Sequence, residues 1–237
     1  MKKGFTLAEV LITLGIVGVV AVLTIPAVMR NYKNRLYVAQ LEKTYAQLSD
    51  AVLAAMNDEH SDNFYETRSG SIQNDACKNG GECTSGLGYF LNTYFEPDMK
   101  NCGKGATLCL PGGQDAYKTI SGVIAGTPGG GDYCIQTSRG AAICGFLNPT
   151  VGGVPNKPCL SLAVDVNGAE GPNIIGRDLF VMDIHSDGAI SDYSSGCSAG
   201  SQGCVASHCN TDSGGSIYEK ACGCLTSVME AGWKMEY

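Results

Sequence analysis

Hydrophobic positions are unevenly spread along the 237-residue chain, and they begin as one block. From Phe5 to Pro26 the sequence reads FTLAEVLITLGIVGVVAVLTIP, with Glu9 as its only charged residue. A helix needs about 20 apolar residues to cross a bilayer, and this run has 22. A core helix of a globular protein rarely stays apolar all round for that length. A secretory signal cut near Ala27 and a plain membrane anchor are two other readings of the same run. Beyond Pro26 the block gives way to a stripe. Leu41, Tyr45, Leu48, Val52 and Met56 recur at helical spacing, and no Gly or Pro interrupts residues 27–57. The stripe predicts a helix that lays one face on the protein's own sheet.

Residues 57–86 are polar and Gly-containing, without a sustained period, and read as loop. Strand-like runs follow. Tyr133–Thr137 and Ala141–Cys144 flank Ser138-Arg139-Gly140, which predicts a hairpin with Cys134 directly opposite Cys144. Cys159–Val166 alternates, and Leu179–Ile184 leads through an Asp187-Gly188 turn into Ala189-Ile190. Residues 194–216 are Ser/Gly/Cys-rich loop, and Tyr218–Ala231 predicts a short helix stopped by Gly232. Trp233 and Tyr237 are placed to anchor the tail. One long helix followed by short antiparallel strands is an α+β layout, with helix packed on sheet.

Composition narrows the partners. Sixteen basic residues against 23 acidic ones give a net charge of −7, which argues against a nucleic-acid partner. All twelve cysteines lie between Cys77 and Cys224, downstream of the apolar run. An even, dense set in loop-rich sequence points to disulfides formed in an oxidising compartment. The local pairs expected are Cys77 with Cys83, Cys102 with Cys109 and Cys134 with Cys144, although spacing alone fixes no connectivity. Cys204, His208, Cys209, Cys222 and Cys224 have zinc-ligand chemistry, but their spacing is irregular and export favours disulfides. Gly196-Cys197-Ser198-Ala199-Gly200 has the form of a nucleophile elbow without the strand and helix that motif needs. The chain is therefore read as a non-enzyme. A membrane-tethered exported enzyme is the rival that an active cleft in the head would support.

The loop Val164-Asp165-Val166-Asn167-Gly168, followed by Gly171-Pro172-Asn173 and Asp178, carries hard oxygen ligands on a Gly-rich turn. Asp165, Asn167 and Asp178 are the candidate calcium ligands. A pair of Asn-Gly and Pro-Asn turns explains the same residues without a metal.

Glu9 carries the sharpest signal. An ionised carboxylate in the apolar part of a membrane helix costs about 2.5–3.5 kcal/mol on insertion scales, and such residues usually have a partner. No cation lies within the run; the nearest would be a new amino terminus made by cutting just before Phe5. Lys2-Lys3-Gly4 followed by Phe5-Thr6-Leu7-Ala8-Glu9-Val10-Leu11-Ile12 resembles the leader of type IV prepilins and type II secretion pseudopilins. The resemblance implies cleavage between Gly4 and Phe5 by a prepilin peptidase, N-methylation of Phe5, and assembly roles for Glu9 and the helix-bending Pro26. It also implies a pilin-like α+β fold with a leader (1–4), a transmembrane assembly helix (5–29) and an extracytoplasmic head (30–237). The acid loop loosely resembles the calcium-holding loop of major pseudopilins.

On this resemblance the chain is an inner-membrane, single-pass precursor with a periplasmic head, later part of a pilus or pseudopilus. Its partners would be the peptidase, an inner-membrane assembly platform, membrane lipid, and its own and other pilin subunits. A minor pilin or tip adhesin and a DNA-uptake pilin are the alternatives within the class. Lys2 and Lys3 before the run and Arg30, Lys33 and Arg35 after it leave the positive-inside rule undecided. Orientation therefore rests on the leader and on the cysteines.

Overall fold

The computed structural model describes residues 4, 6–71, 83–95, 99–103, 109–113, 115–128, 133–147, 158–193, 204, 206–209, 212 and 215–237. The chain divides into two compact units, Met1–Leu36 and Tyr37–Tyr237. Helix α1, Leu7–Asp58, supplies secondary structure to both, and Pro26 lies inside it.

In the second unit the expected stripe is the buried face of α1. Leu41, Leu48, Val52 and Ala55 are fully enclosed, while Tyr45 and Met56 sit at its margin. Of the eight strands among the described residues, five form a meander: β4 (Tyr133–Gln136), β5 (Ala142–Leu147), β6 (Pro158–Asp165), β7 (Leu179–His185) and β8 (Ile190–Asp192). With β1 (Lys100–Gly103) they make one antiparallel sheet of order β1-β4-β5-β6-β7-β8. The register sets Cys134 opposite Cys144, as the hairpin spacing predicts. β2 (Tyr117–Lys118) and β3 (Ile124–Gly126) form a separate two-stranded ribbon.

Helix and sheet meet through one continuous core that joins Leu41, Leu48 and Val52 to Ile143, Leu162 and Val181. The Tyr45 hydroxyl donates to the Ile190 carbonyl at 3.2 Å, tying α1 to β8. The turn before β8 shows why glycine is needed there. Gly188 has φ of +81°, and a Cβ on it would lie 2.7 Å from Met56 Sδ and 3.2 Å from Val52 Cγ1. Both the left-handed backbone and the close approach of α1 exclude a side chain.

Two features depart from the sequence expectation. Residues 83–95, read partly as loop, contain α2 (Gly86–Phe90) running into a wider π turn, Leu91–Phe95. The C-terminal helix is two, α3 (Ile217–Ala221) and α4 (Cys224–Glu230), broken where Gly223 takes φ of +84°. Gly232 stops α4 as expected: its N–H reaches the Met229 carbonyl at 3.0 Å and the Trp233 N–H reaches Val228 at 2.9 Å, a Schellman closure. The α4 N-terminus has no cap of its own. Buried Asp192, on β8, accepts from the Gly223 N–H at 3.0 Å and the Thr226 N–H at 2.8 Å. A carboxylate there satisfies two orphan donors and complements the helix dipole.

Candidate functional site

At the N-terminal end, the apolar run is helix from Leu7 onward. Its most apolar 18-residue window has a mean hydropathy of 2.5, and none of it is buried within the protein. Leu7, Val22 and Leu23 are each more than 70% exposed. Surface of this kind, continuous over several turns, demands a lipid or protein cover. Its few polar groups are absorbed locally: Thr13 Oγ1 donates to the Glu9 carbonyl and Thr24 Oγ1 to the Val20 carbonyl, each at 2.9 Å. Cβ atoms added at Gly15 or Gly18 would meet nothing within 4 Å. Nothing in the single chain requires glycine there, although each costs a helix interior about 1 kcal/mol relative to alanine.

Glu9 caps its own helix. Its Oε2 accepts from both the N–H and the hydroxyl of Thr6 at 2.8 Å, and Thr6 Oγ1 accepts from the Glu9 N–H at 3.3 Å. This is a capping box. The signal was present as Thr6-Leu7-Ala8-Glu9, the T-x-x-E pattern before an apolar run. Gly4 is exposed, and Phe5 lies outside the described residues.

Residues 1–25 match the model of the prokaryotic N-terminal methylation motif. This is the leader signature of type IV pilins and pseudopilins. No curated protein and no solved structure matches the chain. The methylation motif therefore covers the leader and most of the apolar run, and the head stands on its own geometry.

In the head, the three candidate calcium ligands lie in one region between β6 and β7. Asp165 Oδ2 accepts from the Tyr117 hydroxyl at 2.5 Å and Oδ1 from the Asn167 N–H at 3.1 Å. Asp178 accepts from the Asn173 and Ile174 N–H groups, both at 2.6 Å. Asn167 Nδ2 donates to the Glu170 carbonyl at 2.8 Å, yet Asn167 Oδ1 and Asn173 Oδ1 are buried without a partner. Burial, and then the charge of Asp178, push the Asp165 carboxyl up to about 8; burial pushes Asp178 up to about 6. Among the described residues no three His, Cys, Asp or Glu side chains converge. The region instead holds two buried carboxylates and two unpartnered amide oxygens.

These shifts fix a pH dependence. Both folded-state values lie above the ordinary carboxyl value of 3.8, so the folded protein keeps protons that the unfolded chain has released. That stability is complete below about pH 4 and is lost as pH rises through 6 and then 8. Metal-free protein is expected to melt at a progressively lower temperature from pH 5 to pH 8, and Asp165→Asn to flatten the decline. A melting temperature that rises over this interval, measured by circular dichroism, would contradict the assignment.

The structure bonds Cys102 to Cys109, Cys134 to Cys144, Cys204 to Cys222 and Cys209 to Cys224, with Cα separations of 5.9, 4.2, 5.3 and 4.4 Å. The last two pairs take up all four thiols of the zinc set, leaving His208 alone from it. Cys83 is also disulfide-bonded. Cys77 lies outside the described residues, as does the elbow-like segment 196–200.

Proposed function

We propose that the chain is a structural subunit of a type IV pilus or type II secretion pseudopilus. In this reading a prepilin peptidase cuts between Gly4 and Phe5, Phe5 is N-methylated, and an inner-membrane platform polymerises the subunit through α1. The observation that carries the reading is the methylation motif running directly into an exposed apolar helix with one carboxylate near its start. Before assembly, lipid covers that helix; afterwards neighbouring helices take its place. Gly15 and Gly18 then have a use, since small residues let helix backbones approach closely. The disulfide-bonded head belongs outside the cytoplasm, where such bonds persist.

The direct test is intact and N-terminal mass spectrometry of membrane-extracted protein. The expected mature terminus is N-methylated Phe5. A terminus near Ala27 would replace the pilin reading with that of a secreted protein.

The loop formed by Asp165, Asn167, Asn173 and Asp178 is proposed to take calcium. Two unpartnered amide oxygens beside two buried carboxylates suit a hard cation, which would replace the proton held at neutral pH. Millimolar calcium is expected to raise the melting temperature, and more at pH 8 than at pH 5, because proton competition fades. An equal melting temperature with calcium and with chelator at pH 8 would leave the loop as a pair of turns.

A further inference from the structure

A groove of about 230 Å³ opens between α1 and the tip of the β4–β5 hairpin, entirely within the second unit. Gln40, Lys43 and Thr44 line it from the helix, and Thr137, Arg139 and Val166 from the hairpin and the end of β6. Its buried lining is Thr44, Thr137, Ala141 and Val166, while Arg139 is exposed and Lys43 half-buried. The hairpin tip is held firmly: the Thr137 N–H donates to the Ala141 carbonyl at 2.8 Å, and the Gly140 N–H to the Thr137 carbonyl at 3.0 Å.

Two facts mark the groove as built for a ligand. Lys43 and Arg139 both line it, and no ion pair to either is found among the described residues. Thr137 is 93% buried, yet its hydroxyl has no hydrogen-bond partner, and the buried Gln40 Oε1 lacks one as well. An unpartnered buried polar atom is costly to the fold, and a ligand that pairs it removes the cost. The missing group must accept from two cations and a hydroxyl, and donate to an amide oxygen. A carboxylate carried beside a peptide N–H does both.

We propose that this groove receives the side-chain carboxylate of an acidic residue on a second copy of this chain. The chain carries a net charge of −7, and Glu42, Asp50 and Asp58 stand exposed on α1 itself. The second-copy occupant rests on the polymer reading above, whereas the carboxylate site does not. Head-to-head contact through a cationic groove would give the fibre a salt-dependent interface distinct from its apolar helix packing.

The first experiment needs no fibre. Detergent-solubilised full-length chain is titrated with N-acetylglutamate N-methylamide, with the glutamine analogue as control. The acidic compound is expected to bind and the neutral one not. Lys43→Gln and Arg139→Gln, both at the groove rim, are each expected to weaken binding about tenfold, the loss typical of one charged hydrogen bond. Thr137→Val is expected to weaken binding while raising the melting temperature of the free protein, since it removes the unpartnered hydroxyl. A merely structural threonine would move stability the other way. Equal binding of the two compounds, or none, overturns the site.

The second experiment treats assembled material with a carbodiimide, which joins a carboxylate to a lysine amine as an amide while itself taking up the water. An interchain link at Lys43, absent from Lys43→Arg, supports the second copy as occupant. Binding of the acidic compound without such a link overturns that occupant and leaves a free small carboxylate as the ligand. Binding by a chain that never assembles counts against the polymer reading and the second-copy occupant alone.

Discussion

We expect Glu9→Gln to leave the chain inserted in the membrane and to remove most of it from the fibre. The capping box sharpens the reason. In the single chain Glu9 Oε2 is already engaged by Thr6, so the carboxylate has a local role before any partner arrives. Glutamine at the same position of a capping box keeps an acceptor for the Thr6 N–H. It loses only the charge. That charge is costly in lipid, by about 2.5–3.5 kcal/mol on insertion scales. In the proposed polymer, pairing with the Phe5 ammonium of a neighbour would offset the cost, since two buried charges can satisfy one another. Recovery of even half of it shifts the partition between membrane and fibre about tenfold.

Three variants then separate the contributions. Glu9→Ala loses cap and charge, Glu9→Gln loses charge alone, and Thr6→Val loses the capping hydroxyl alone. Losing a cap costs about 1 kcal/mol, and the membrane-inserted helix has much else to hold it. The expected order of fibre yield is parent, then Thr6→Val close behind, with both Glu9 variants at least about tenfold lower. The measurement is the ratio of sheared fibre to membrane-held subunit in cells making one variant at a time. Thr6→Val matching the Glu9 variants would assign the defect to helix capping and sink the pairing account.

What the sequence made legible, and what it hid, follows from the length scale of each signal. The stripe Leu41 to Met56 and the runs that became β4 to β8 were readable because hydrophobic period repeats over several residues there. The hairpin register followed from turn chemistry and two facing cysteines. β1, Lys100–Gly103, is a four-residue edge strand with one buried side chain, and β2 is two residues long, so neither contains a period. α2 has two glycines in five residues, against helix propensity. Its helical state is imposed from outside, by burial of Leu87 and Phe90 and by the edge-on packing of Phe90 against Phe64, ring centroids 5.5 Å apart.

The acid loop shows the same limit from another side. Asp165, Asn167 and Asp178 stood out for residue type, but Tyr117, the donor that engages Asp165, comes from a distant ribbon. No spacing rule brings positions 48 residues apart together. Asp192 was invisible as a cap for the same reason, since the helix it serves begins more than thirty residues later.

That distant cap bears on the second large effect, loss of the C-terminal disulfides. α3 has five residues and α4 seven, well below the length at which a helix persists alone in water. Three things hold them: burial of Ile217, Leu225 and Val228, the Asp192 cap, and the bonds Cys204–Cys222 and Cys209–Cys224. The bonds close sequence separations of 18 and 15 residues. Cross-links over loops of that length contribute about 3 kcal/mol each in the chain-entropy account. At about 2–4 °C per kcal/mol for a chain of this size, one lost bond lowers the melting temperature by roughly 6–12 °C. Cys209→Ser with Cys224→Ala is the variant to make, because Cys224 is fully buried and a serine there would strand a hydroxyl. Asp192→Ala should add a further loss, smaller than that of the bond, and larger in the disulfide variant than in the parent. The two supports hold the same element, so removing one loads the other. Calorimetry of the four proteins, parent, disulfide variant, Asp192→Ala and the combination, reads this coupling. An unchanged melting temperature for the disulfide variant would mean that the core alone fixes α3 and α4. Strictly additive losses would mean that cap and cross-link hold separate parts of the head.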